Sequence, residues 1–220
     1  MHKMLVRAAL LLSLLVLAVA HRVSAQELSG YFGLGTATNG PTTTPGCPSK
    51  TIFDDFTGNC EPAHKMGGVF GVFGADYMLR EHLGFNAEYA FRFAQASYLP
   101  EAGLNARPAF YDFNAVYQPG PSHSRIVPVL TGGVGGAKVS LYFNQQACAI
   151  SNVCNSQSQF IGSANHFQVH GAVGVKIYVT PALFIKPQFD AHYVHNLDQQ
   201  YERNFVPIYT VSVGYTFGRR

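Results

Sequence analysis

The chain has no tryptophan, and only 12% of its residues are charged. It also lacks any second apolar run of helix-spanning length. The one candidate is near the start, where Lys3 and Arg7 precede an apolar stretch from Ala8 to Ala20. That stretch is shorter than the roughly 20 residues a transmembrane helix needs. Val23-Ser24-Ala25 then supplies small residues before Gln26, so residues 1–25 read as a secretory signal peptide and 26–220 as the mature domain. The basic excess disappears with that segment. Lys plus Arg number 15 against 12 Asp plus Glu, and the difference is Lys3, Arg7 and Arg22. A balanced mature chain carries no basic patch for nucleic acid.

Catalytic and nucleotide motifs are missing too. No G-x-S-x-G occurs, and the glycines at 30–35 and 132–136 fit neither a dinucleotide fingerprint nor a phosphate loop. The four cysteines form no C-x-x-C pair, which argues against a cysteine zinc site. They are expected to form disulfides in an exported protein, and we favour the two that each close one polar segment, Cys47–Cys60 and Cys148–Cys154.

What is present is alternation. In 83–99, Phe85, Ala87, Tyr89, Phe91 and Phe93 share one parity, whereas Asn86, Glu88 and Arg92 share the other. Side chains in a strand point to opposite faces with period 2. A long strand with one aromatic-rich face and one charged face fits a transmembrane β-strand between lipid and a polar interior. Eight such segments can be read, at 27–36, 66–78, 83–99, 107–117, 125–143, 165–179, 183–195 and 204–217. The connections alternate between longer and shorter on the whole, beginning and ending with a longer one, and 37–65 and 144–164 are polar loops carrying the cysteine pairs. The expected fold is therefore all-β: an eight-stranded antiparallel transmembrane barrel with both termini periplasmic and the longer loops extracellular. Pro128, Pro187 and Pro207 fall inside these strands and are expected at bulges or near the rims.

The interior of an eight-stranded barrel is just wide enough for side chains to fill. The inward parity offers Asp76, Glu88, Asp112 and Asp190 against Arg92, Lys176 and Lys186, and Lys138 balances the set if strand 125–143 turns its even positions inward. The glycine run at 132–136 has no pattern to fix that phase. These eight residues are read as a plug network rather than a pore lining, because a desolvated charge needs a partner. The short turn Thr180-Pro181-Ala182 also sets His170 opposite His192, with Asp190 two residues away. Hydrogen bonding inside the barrel is the plainer role for these histidines, and zinc or copper ligation the sharper one. No cofactor is expected.

The ending Ser212-Val213-Gly214-Tyr215-Thr216-Phe217 resembles the C-terminal signal of outer-membrane barrels, although Gly218-Arg219-Arg220 follow it. Residues 125–139 and 171–194 resemble the proline-then-glycine strand and the sixth-to-seventh hairpin of small OmpA-like and opacity-like barrels. The resemblance implies a Gram-negative outer membrane, contact with lipid and lipopolysaccharide, and recognition by the barrel assembly machinery through Gly214, Tyr215 and Phe217. It implies a structural or surface-interaction (adhesion-type) role for a monomer without a steady pore, with a possible extracellular ligand at the loops. A narrow pore for small solutes is the alternative, and a lipid-modifying enzyme is less favoured: His123-Ser124 lies in a periplasmic turn, on the wrong side for outer-leaflet lipid.

Overall fold

The computed structural model describes residues 27–38, 45–48, 51–54, 58–62, 66–99, 103–121, 123–148, 154–201 and 203–219. Residues 1–25, the expected signal peptide, lie outside them. The strands are β1 (Glu27–Ala37), β2 (Thr51–Asp54), β3 (Asn59–Pro62), β4 (Val69–Met78), β5 (Leu83–Arg92), β6 (Ala96–Leu99), β7 (Leu104–Tyr117), β8 (Ile126–Cys148), β9 (Cys154–Tyr178), β10 (Leu183–Val194) and β11 (Phe205–Phe217), with a single turn of helix, α1 (Asp198–Tyr201), before β11. No helix among the described residues is long and apolar enough to cross a membrane.

Every neighbouring pair in the main sheet is antiparallel. The order β5-β4-β1-β11-β10-β9-β8-β7 closes through pairing of β5 with β7. The result is an eight-staved barrel, because β6 continues the stave of β5 and also pairs with β7. β2 and β3 form a separate hairpin in the first long connection, and the Cys47–Cys60 disulfide straps it with a Cα separation of 5.6 Å.

Alternation decides what each face meets. Phe32, Phe73, Phe85, Tyr89, Phe113, Phe167, Val173, Val211 and Val213 all point outward and are exposed. A closed ladder satisfies every stave's backbone groups, which is the condition for strands to cross lipid. The inward face is layered. Phe70, Phe110, Ala37, Met66, Val139, Val206, Leu197 and Tyr201 form an apolar cluster toward the mouth, capped by α1. Met78, Val116 and Val129 form a smaller one at the opposite end. Polar side chains fill the space between.

Three expectations are corrected. β8 turns its odd positions inward, not its even ones. Ala137 is paired with Phe110, which is fully buried, and directly paired residues share a face. Lys138 is therefore outward and exposed, two pairs beyond the Gly136–Phe167 level, where a long cationic side chain can reach a headgroup. Second, 144–164 is not simply a loop, since the β8–β9 ladder continues to the pair Cys148↔Cys154. Third, the stave read at 83–99 breaks at 93–95, between β5 and β6.

The prolines sit where a missing N–H is tolerated. Pro108 lies one residue past the last β5–β7 pair, Phe91↔Ala109. Pro128 lies beyond the last β7–β8 pair, Tyr117↔Leu130, and Pro207 beyond the last β1–β11 pair, Ala37↔Ile208. Pro187 is the exception: the β9–β10 ladder skips from Ile185↔Ile177 to Gln188↔Gly174 across it.

Candidate functional site in the barrel interior

The interior site is built almost wholly from even-numbered positions of β4, β5, β7, β9, β10 and β11, joined by odd positions of β1. Lys176 Nζ lies 2.8 Å from Asp76 Oδ2, linking β9 to β4, and both side chains are buried. The same ammonium donates to Ser29 Oγ at 3.1 Å. Ser29 and Thr216 share a hydrogen bond of 2.9 Å, and the Tyr178 hydroxyl is 3.0 Å from Thr216 Oγ1.

Asn86 is the hub beside this pair. Its amide donates to Asp76 Oδ1 at 2.7 Å and to the Tyr31 hydroxyl at 2.8 Å. It accepts from Asn114 Nδ2 at 2.9 Å. Tyr31 in turn donates to Glu88 Oε2 at 2.6 Å. Gln188 donates to Glu88 Oε2 at 3.0 Å and to Asp190 Oδ1 at 2.6 Å. Lys186 Nζ stands 4.0 Å from Glu88 Oε2 and 3.5 Å from the centre of the Tyr31 ring, so part of its compensation is cation–π.

The histidines form the third part. His192 is paired with His170 in the β9–β10 register, as the three-residue turn implied. Their rings stack with centroids 4.5 Å apart. His170 Nδ1 is 2.9 Å from Asn114 Oδ1, and its Nε2 is 3.1 Å from Asp190 Oδ1. His192 Nδ1 is 3.8 Å from Asp112 Oδ2, and Gln168 donates to Asp112 Oδ1 at 2.5 Å.

Six of the eight charged residues expected in the interior thus meet there: Asp76, Glu88, Asp112, Asp190, Lys176 and Lys186. Two do not. Lys138 is outside. Arg92 keeps the inward parity but is only half-buried, in the last pair of β5 with β4, Phe70↔Arg92. Among the described residues it makes no ion pair with the four carboxylates. Among the described residues the interior is left with four buried carboxylates and two buried ammonium groups.

Ser29, Tyr31, Asn86, Asn114, Gln168 and Gln188 carry much of the network, although none of the six is among the eight charged residues expected to form it. The asparagines and glutamines share the parity of the charged residues, which is the signal that finds them. Ser29 and Tyr31 stand on β1, whose inward positions are odd and mostly glycine or apolar. The glycine run also has a function in this site. A Cβ on Gly133 would collide with the Phe113 carbonyl and stand 2.5 Å from Asn114 Oδ1, and one on Gly135 would collide with the Tyr111 carbonyl and stand 2.8 Å from Asp112 Oδ1. β8 thus supplies the space that Asn114 and Asp112 occupy.

Gly214, Tyr215 and Phe217 end the last stave. Gly214 faces inward, where a Cβ would strike the Phe184 ring. Tyr215 and Phe217 point outward with ring centroids 4.8 Å apart. Cys148 and Cys154 oppose each other in backbone register, and their side chains lie outside the described residues.

A closed eight-staved barrel with an apolar exterior and a side-chain-filled interior narrows the comparison to small outer-membrane barrels. The family model of the outer membrane protein beta-barrel domain matches residues 9–217. The chain belongs to this family. Its topology accordingly has extracellular loops and periplasmic termini, with the aromatic belt in the outer-membrane lipid. A major outer membrane protein from Thermus thermophilus has a similar fold, with a TM-score of 0.54 and 11% identity over 88% of this chain and 100% of that one. Neisserial surface protein A gives 0.51 and 12% over 89% and 98%. OprG from Pseudomonas aeruginosa gives 0.51 and 10% over 88% and 96%. At these identities the likeness is one of fold. No curated protein matches the chain by sequence.

Proposed function

We propose that this outer-membrane barrel is a structural and surface-interaction component with neither a steady conductance nor an enzymatic activity. One observation carries the reading: its interior is bridged by hydrogen-bonded side chains from seven staves and closed above by an apolar cluster. Solutes would have to break buried ion pairs to pass, and each such break costs several kcal/mol.

The material for contact lies outside the membrane. β8 pairs with β7 only as far as Phe143 and β9 with β10 only as far as Gln168, so the β8–β9 hairpin extends past both neighbours toward the extracellular side. The Cys47–Cys60 hairpin adds a second rigid element, and a Cys148–Cys154 bond would lock the hairpin tip. Residues 1–25 act as the export signal. Gly214, Tyr215 and Phe217 present the C-terminal signal to the assembly machinery, and Tyr215 and Phe217 are the exposed members.

Planar-bilayer recording tests the reading directly. The purified barrel is expected to give no steady channel, while the intact loops retain a binding partner in a screen of surface glycans and extracellular proteins. A reproducible open conductance would replace this reading with the narrow pore.

A further inference from the structure

We propose that Asp112, His170 and His192 hold one zinc-class divalent ion inside the barrel. The three residues come from β7, β9 and β10, all are buried, and one ligand atom from each lies within 4.8 Å of the others.

The geometry between His192 and Asp112 is the first support. Their facing atoms are 3.8 Å apart, too far for a hydrogen bond. Two ligands each 2.0–2.2 Å from a shared tetrahedral ion stand about 3.3–3.6 Å apart. Among the described residues His192 Nδ1 is buried without a hydrogen-bond partner, as is Asp190 Oδ2 next to the cluster. A buried polar atom without a partner is costly, and a metal ion supplies one.

The surrounding contacts are those that orient metal ligands. Gln168 holds Asp112 Oδ1 and leaves Oδ2 facing His192. Asn114 Oδ1 and Asp190 Oδ1, both acceptors, flank the two nitrogens of His170, so an ion on one nitrogen displaces that contact while the other nitrogen keeps its N–H donated to a partner that fixes the ring. Charge points the same way. Four buried carboxylates face two buried lysines, and with neutral histidines one dication cancels the difference. Two imidazoles and one carboxylate suit zinc, copper or nickel and not magnesium or calcium. Because the site is buried, the ion would enter as the barrel assembles, tying β7 to β9 and β10 across the interior.

The test is refolding of the mature barrel in detergent with zinc, with magnesium, or with chelator. Zinc is expected to bind at one ion per barrel and to raise the thermal midpoint, and magnesium to do neither. His170→Gln and His192→Gln should lose the ion, Gln168→Leu should weaken it by about 10–100-fold, and His195→Gln, at an exposed residue, should keep it. Absence of stoichiometric zinc in the wild type, or equal uptake by His192→Gln, overturns the proposal. Cobalt absorption of the wild type decides the case without any variant. Bands of a low-coordinate nitrogen–oxygen site support it, and the spectrum of the aquo ion refutes it.

Discussion

Lys176 and Asp76 meet at 2.8 Å across the interior, with at most 1% of either side chain exposed. Neither charge has water to fall back on. Lys176→Met should therefore destabilise the barrel by about 3–5 kcal/mol, because it leaves the Asp76 carboxylate buried and uncompensated. Asp76→Asn combined with Lys176→Met should recover most of that loss. Denaturant unfolding in lipid vesicles measures both. If the double variant is as unstable as the single one, the pair is not the source of the cost.

Phe113 is 68% exposed on the outward face of β7. Phe113→Arg should cost about 2–4 kcal/mol if the residue sits near the bilayer midplane. Lys138→Ala, at an exposed position already carrying a cation two pairs past the Gly136–Phe167 level, should change stability little. Equal costs for the two would contradict the assigned faces.

Gly135 has no room for a side chain beside Asp112. Gly135→Val should cost about 1–3 kcal/mol by forced displacement of β7 or of Asp112, whereas Gly30→Ala, where a Cβ meets nothing within 4 Å, should be tolerated. The electrophoretic shift between folded and heat-unfolded barrel, followed against temperature, separates them.

Non-reducing peptide mapping should recover Cys47–Cys60, and Cys148–Cys154 as the second bond. Reduction should leave the barrel folded, because its ladder does not include β2 or β3, while the first loop becomes protease-sensitive. Loss of the barrel on reduction would show that the straps stabilise more than their own loops.

Burial pushes the Tyr201 phenol above its ordinary range, and among the described residues its hydroxyl has no hydrogen-bond partner. A raised acid binds its proton more tightly folded than unfolded, so this contribution is intact below about pH 10 and is lost as pH rises further. Tyr201→Phe should therefore match or exceed wild-type stability at neutral pH and keep more of it at alkaline pH. Unfolding curves at neutral and alkaline pH test this, and a wild type that holds up better in alkali would contradict it.

Alternation alone identified the eight staves, the outward aromatics and the interior position of Asp76, Glu88, Asp112, Asp190, Lys176 and Lys186, because a strand's period of 2 commits each residue to a face. The short turn at 180–182 was enough to set His170 against His192, because a hairpin's register follows from its turn. The facing of β8 was not legible, since its glycines carry no side chains to mark a face; the ladder with β7 decided it and moved Lys138 outside. The extent of β8 and β9 was hidden for a different reason. Apolar–polar alternation reports lipid on one side, and it disappears once strands leave the bilayer although their hydrogen bonds continue. Arg92 kept its parity but not its partners, because parity sets a face and says nothing of depth along the barrel axis. The meeting of Asp112 with His192, and of Asn114 with His170, depends on side chains from different staves converging across the closed interior. Local sequence sets the direction of each side chain, and only closure of the barrel sets what it meets.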